Sequence, residues 1–144
     1  MANAILLPML VLAGWTMIVW AWMYATRLPA MARAGIDGVT MIGSTGKGLR
    51  DQLVAAGQER ACWVADNHNH LLEQPTVFYA VSLALAVMGG GGTLAVNLAW
   101  AYTGLRIAHS LVQILSNRVV VRFALFALGS LCLIALLVIA LLSA

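Results

Sequence analysis

Apolar residues run along the chain in long blocks separated by short polar stretches. The first block covers residues 5–24, about the 20 residues that an α-helix needs to cross ~30 Å of hydrocarbon. Trp20, Trp22 and Tyr24 crowd its end and Arg27 follows, the order expected of an aromatic belt and a basic anchor at a membrane interface. A helix is predicted over 4–27, with Pro29 helping to end it. Residues 33–58 form the longest polar stretch. They carry Gly35, Gly38, Gly43, Gly46, Gly48 and Gly57, which predicts a flexible loop, helical again from Leu49. A second helix is predicted over 59–88, polar in its first half and apolar from Val77 to Met88. Pro75 has no N–H to donate and clashes with the carbonyl of Leu71, so a kink is expected just after Glu73. Gly89 to Gly92 reads as a tight uncharged turn. Third and fourth helices are predicted over 93–116 and 118–143, the last almost purely apolar apart from Arg122.

The polar positions inside this pattern are not random. Asp66, Asn69, His70 and Glu73 fall at i, i+3, i+4 and i+7, one face of a helix, while Asn67 and His68 point elsewhere. Arg106, His109, Ser110 and Gln113 repeat the same spacing on the third helix, with Asn117 a turn further. Polar stripes in lipid should face each other or water. Arg106 stands ~18 Å deeper than Arg118 along a helix. A carboxylate partner is therefore expected for it, and Glu73 is the acid within reach. That pair reads equally well as a structural ion pair or as part of a binding site.

Composition sharpens the class. Of 144 residues, 62% are hydrophobic and 9% charged, which excludes an ordinary soluble domain. The fold expected is an all-α integral membrane protein, a bundle of four transmembrane helices in a single domain. The net charge of +3 does not imply a nucleic-acid partner, because the basic residues are scattered and flank apolar blocks. Arg27, Arg33, Lys47, Arg50 and Arg60 lie between the first two blocks, and Arg118 between the last two. The positive-inside rule then places both basic loops in the cytoplasm and both termini on the far side of a multi-pass protein. A bacterial inner membrane is the location expected. The N-terminal block lacks a basic region before it and reads as a retained helix. Cys62 and Cys132 read as two separate buried thiols.

Several chemistries fit poorly. Gly43-Ser44-Thr45-Gly46-Lys47-Gly48 looks like a phosphate loop, but Met41 stands where its first glycine should be and Gly48 where Ser or Thr should follow the lysine. His68 and His70 lie ~200° apart on a helix, poor for shared ligation, so no metal is expected. A small proton-coupled exporter would also have one membrane glutamate, but no internal repeat suggests alternating halves. Arg122, four residues into a long apolar block, is hard to explain as surface decoration, although snorkelling to headgroups remains an alternative.

Glu73-Gln74-Pro75-Thr76-Val77-Phe78 after an asparagine, then Arg106-Ile107-Ala108-His109-Ser110, then Arg118 and Arg122 opening the fourth helix, form a pattern. It resembles the membrane-associated proteins in eicosanoid and glutathione metabolism, the MAPEG family, which includes microsomal glutathione transferases, microsomal prostaglandin E synthase and leukotriene C synthase. The resemblance covers most of helices two to four. It implies a homotrimer with glutathione as co-substrate between subunits near the cytoplasmic face, and a lipophilic small molecule arriving from the membrane lipid. Carried over by position, Glu73, Arg106 and His109 would hold glutathione, with Asn69, His70 and Gln113 beside them. Arg122 would be the catalytic residue that stabilises the thiolate. Such an enzyme would be a transferase or peroxidase acting on lipophilic electrophiles. Four positions depart from the pattern. Gln113 stands where glutathione-using members have a tyrosine. His70 takes the usual place of the asparagine, with Asn69 one before it. Asp66 replaces a basic residue, and Phe123 replaces a serine found in some members. These departures favour the alternative, a non-catalytic member that binds a lipid or another small anion in its inter-helix polar cavity.

Overall fold

The computed structural model describes residues 2–89 and 91–144, so Gly90, in the middle of the expected glycine turn, lies outside the described residues. A short 3-10 turn, Ala2–Ile5, leads into α1, Leu6–Arg33. The other helices are α2, Gly46–Ala55, α3, Glu59–Leu72, α4, Gln74–Val87, α5, Gly92–Leu115, and α6, Val119–Ser143. No strand occurs among the described residues. Among the described residues, α1 and α6 are long and apolar enough to cross a membrane.

Three expectations change. Pro29 does not end the first helix but sits inside α1, which continues to Arg33. Its ring costs the helix one hydrogen bond, and the remaining turn is held by the packing of Ala30 against Leu53, Ala61 and Cys62. The glycine-rich stretch is not loop up to Leu49. Thr45, in extended conformation, accepts a 3.0 Å hydrogen bond from the Gly48 amide and starts α2 three residues earlier. Leu53 then buries completely and fixes α2 onto α3. Finally, the second helix is not kinked but broken. Glu73 has φ −86° and ψ −101°, outside the helical region, so α3 stops and α4 starts afresh with Pro75 in its first turn, where a missing N–H costs nothing.

The core runs along α1, α3, α4, α5 and α6. Leu12, Val19, Phe78, Leu85, Tyr102 and Leu136 are among its fully or almost fully buried members. The Phe78 and Tyr102 rings pack 4.5 Å apart between α4 and α5. Gly91 closes the turn into α5 with φ +63°, and a Cβ there would meet Ala95 at 2.9 Å, so glycine is required. Polar groups tie the helices at three levels. Thr103 Oγ1 donates to the Pro8 carbonyl at 3.0 Å, and Gln74 Nε2 donates to Ser130 Oγ at 2.8 Å. Tyr102 Oη donates to Gln74 Oε1 at 3.4 Å. Cys62 and Cys132 are free thiols, as expected, but only Cys62 is buried and Cys132 is partly exposed. Outside the core, α6 leaves a long apolar face exposed, from Val119 and Val120 through Leu128 and Leu131 to Leu142.

Candidate functional site

The break at Glu73 creates the site. A helix that stops leaves the carbonyls of its last turn without partners, and Pro75 cannot supply a bond to Leu71. Arg106, rising from α5, meets this end. Its Nη2 donates to the His70 carbonyl at 2.6 Å. A cation at a helix C-terminus is also favoured by the helix dipole. Arg106 is 1% exposed, and its Nε and Nη1 are buried without a protein partner. Its guanidinium carbon lies 5.9 Å from the Phe126 ring centroid.

The expected ion pair between Arg106 and Glu73 is absent. Among the described residues Glu73 instead contacts His70 Nδ1, at 3.1 Å, and the pair of oppositely charged side chains is Arg50 with Asp66. The helix break turns the Glu73 side chain outward, where it is 66% exposed, and leaves the deep position to Arg106 and a backbone carbonyl. The two polar stripes do face each other, but through a residue assigned to the wrong face. Asn67 is fully buried, donates to Gln113 Oε1 at 3.1 Å and accepts from Ser110 Oγ at 2.6 Å. The signal for it was on the partner helix, since Ser110 and Gln113 needed a polar residue opposite them. Replacing Asn67 with Leu orphans both. We expect a loss of about 2–4 kcal/mol, since each buried group left unpaired costs about 1–3 kcal/mol. Unfolding of the detergent-solubilised variant measures it, and an unchanged midpoint would contradict the network's role.

Above this network lies a polar cleft of about 320 Å³. Arg50 and Asp66 line one side, Asn69, His70 and Glu73 a second, and Gln113, Asn117 and Arg122 the third. Arg50 comes from α2, which the sequence left without a role. Its pairing with Asp66, by hydrogen bond first and by charge second, holds the guanidinium even more firmly protonated than usual. Asn117 has φ +50°, a left-handed conformation that asparagine tolerates, and its Oδ1 accepts from Arg122 Nη1 at 2.5 Å. That bond aims Arg122 back over the cleft. Its Nε is buried and unpartnered.

Next to the polar cleft is a second pocket of about 260 Å³ with an apolar wall of Val119, Phe123 and Phe126, closed by His70, His109 and Arg122. The His70 and His109 rings meet edge to face at 6.1 Å. His70 and Arg122 line both pockets, so a guanidinium stands where a polar chamber adjoins an apolar one.

The model of the MAPEG family matches residues 5–142. The chain belongs to the MAPEG family. Searches of curated proteins and of solved structures gave no match. The chain is a membrane protein of that family, with α1 and α6 as its candidate spans. In this MAPEG protein the expected site residues divide three ways. Asn69, His70, Glu73, Gln113 and Arg122 line the polar cleft, His109 lines the apolar pocket, and Arg106 lies beneath both, tied to the backbone. Arg50, Asp66 and Asn117 complete the cleft. Gln113, at the tyrosine position, has its carbonyl oxygen occupied by Asn67.

Proposed function

We propose that this MAPEG protein is a membrane-bound glutathione-dependent transferase or peroxidase acting on lipophilic electrophiles. The observation that carries this reading is Arg122, which lines a polar and an apolar chamber at once. Glutathione carries an ammonium group, two carboxylates and a thiol. The polar cleft offers carboxylates at Asp66 and Glu73, guanidinium groups at Arg50 and Arg122, and neutral groups at Asn69 and Gln113 to receive them. A free thiol is mostly protonated at neutral pH. A guanidinium beside it favours the nucleophilic thiolate, and arginine keeps its charge in an apolar setting. The thiolate sulfur then attacks an electrophile held against Phe123 and Phe126, and the leaving group departs with the electron pair of the broken bond. With a hydroperoxide, sulfur attacks the distal oxygen, the O–O bond breaks and the alkoxide leaves to be protonated by water. The glutathione sulfenic acid formed condenses with a second glutathione thiol to give the disulfide and water. His109 closes the apolar side, and Arg106 holds the broken end of α3 so that His70 and Glu73 face the cleft.

The architecture proposed with it is four crossings, in which α3 and α4 act together as one, with both termini outside and both basic loops on the cytoplasmic side; a bacterial inner membrane is proposed as its location. A homotrimer is proposed with it, in which a neighbouring copy covers the exposed Asn69 and Glu73 and completes the site. The occupied Gln113 favours one second reading, a non-catalytic member that holds a lipid or small anion in the cleft. Conjugation of glutathione to a chlorinated dinitrobenzene, and reduction of a fatty-acid hydroperoxide, by detergent-purified protein separate the two. Turnover supports the enzyme. No turnover, together with a bound lipid lost in Arg106→Ala, supports the second reading.

A further inference from the structure

On another face of α3 a groove of about 470 Å³ runs between the end of α1, the start of α3 and the end of α5. Its two ends differ. Trp22, Val64, Ile114 and Leu115 make an apolar wall, and Arg33 and Arg60 stand at the rim, with no acidic residue among those that line it. Trp22 and Arg33 are separated by ~16 Å along α1. Because α1 is a candidate span, the groove runs along the membrane normal, apolar inward and cationic outward. Neither arginine makes an ion pair or side-chain hydrogen bond among the described residues. Arg60 rests its guanidinium 5.8 Å from the Trp63 ring centroid.

We propose that this groove binds an anionic membrane phospholipid, with the headgroup phosphate between Arg33 and Arg60 and an acyl chain along Trp22 and Val64. Guanidinium forks match phosphate oxygens in pairs. Two cations with no acid among the lining residues favour a headgroup whose phosphate charge is not cancelled by an ammonium of its own, so a lipid with net negative charge fits. A zwitterionic lipid would bring a further ammonium group to the rim. The inference rests on α1 crossing a membrane and is independent of the thiol chemistry, because the groove shares no residue with the polar cleft.

The test uses the full chain in a mild detergent, with native mass spectrometry and thermal unfolding in the presence of phosphatidylglycerol, phosphatidylcholine or inorganic phosphate. Phosphatidylglycerol is expected to stay bound and to raise the unfolding temperature by several degrees. Arg33→Gln with Arg60→Gln should abolish both effects, and Arg118→Gln, at the same membrane face, should keep them. Ala25→Trp fills the groove from an exposed position without removing charge. It should also lower lipid retention, and it decides the matter if the double variant does not fold. An equal response to phosphatidylcholine, a full response to inorganic phosphate, or unchanged retention in the variants would overturn the proposal. So would a double variant that altered the oligomeric mass without altering lipid retention, which would mean that a second copy covers the groove.

Discussion

Arg122→Ala is expected to lower kcat/KM for glutathione conjugation by roughly 10²–10³-fold, the usual cost of removing one preorganised electrostatic stabiliser from a reacting anion. Two features set the size. The Arg122 side chain lines both chambers and spends one bond, from Nη1, on the protein, so guanidinium charge and donor capacity remain for the anion that forms. The Asn117 bond to Nη1 fixes the guanidinium at the boundary of the two chambers, so little reorganisation accompanies the reaction. Arg122→Lys keeps a charge but loses the fork and the Asn117 contact, and should recover only part of the activity. Asn117→Ala should act through Arg122, lowering kcat more than it raises KM. Steady-state kinetics on protein of matched fold check all three. Equal turnover in Arg122→Ala and the parent would remove Arg122 from the mechanism.

The second large effect falls on stability. Arg106→Ala is expected to lower the unfolding free energy by about 3 kcal/mol. Truncating a large buried side chain leaves a cavity worth about 2–5 kcal/mol, and the His70 carbonyl loses its donor at a cost of about 1–3 kcal/mol. Against these stands the desolvation of a buried guanidinium, relieved on its removal. The first two terms together exceed the third, because Arg106 keeps a charge-assisted bond and the Phe126 face as partial compensation. Arg106→Met retains volume and should recover the cavity part alone. Thermal unfolding of the variants measures the difference. A stabilised Arg106→Ala protein would show that the desolvation cost dominates and that the arginine is kept for a ligand.

Much of this could be read in the sequence because lipid forces order on polar residues. Apolar blocks gave the starts and ends of α5 and α6 to within a residue or so. The polar spacing on α5 identified Arg106, His109, Ser110 and Gln113 as one stripe, and all four are buried. What could not be read was the local backbone. Proline at position 75 signals a disturbance, but whether a helix bends or breaks depends on what satisfies the freed carbonyls. Here Arg106 does, so α3 ends and the Glu73 side chain turns outward. The spacing of acids and histidines puts Asn67 off the polar stripe, yet Asn67 is fully buried, because burial follows the partner helix. The α2 helix was hidden by glycines. Its Thr45 cap and the single anchor Leu53 outweigh their low propensity. Arg50, on that helix, therefore came to the cleft from a stretch that had read as loop.

The proposed role of Arg122, turning a bound thiol into a thiolate at the junction of two chambers, is checked by titrating glutathione into purified protein while following ultraviolet thiolate absorbance, with calorimetry on the same samples and Arg122→Ala alongside. Saturable binding that raises the thiolate signal at neutral pH is expected, with that signal lost in the variant. Binding with no thiolate signal in the parent, or a signal unchanged in Arg122→Ala, would contradict it.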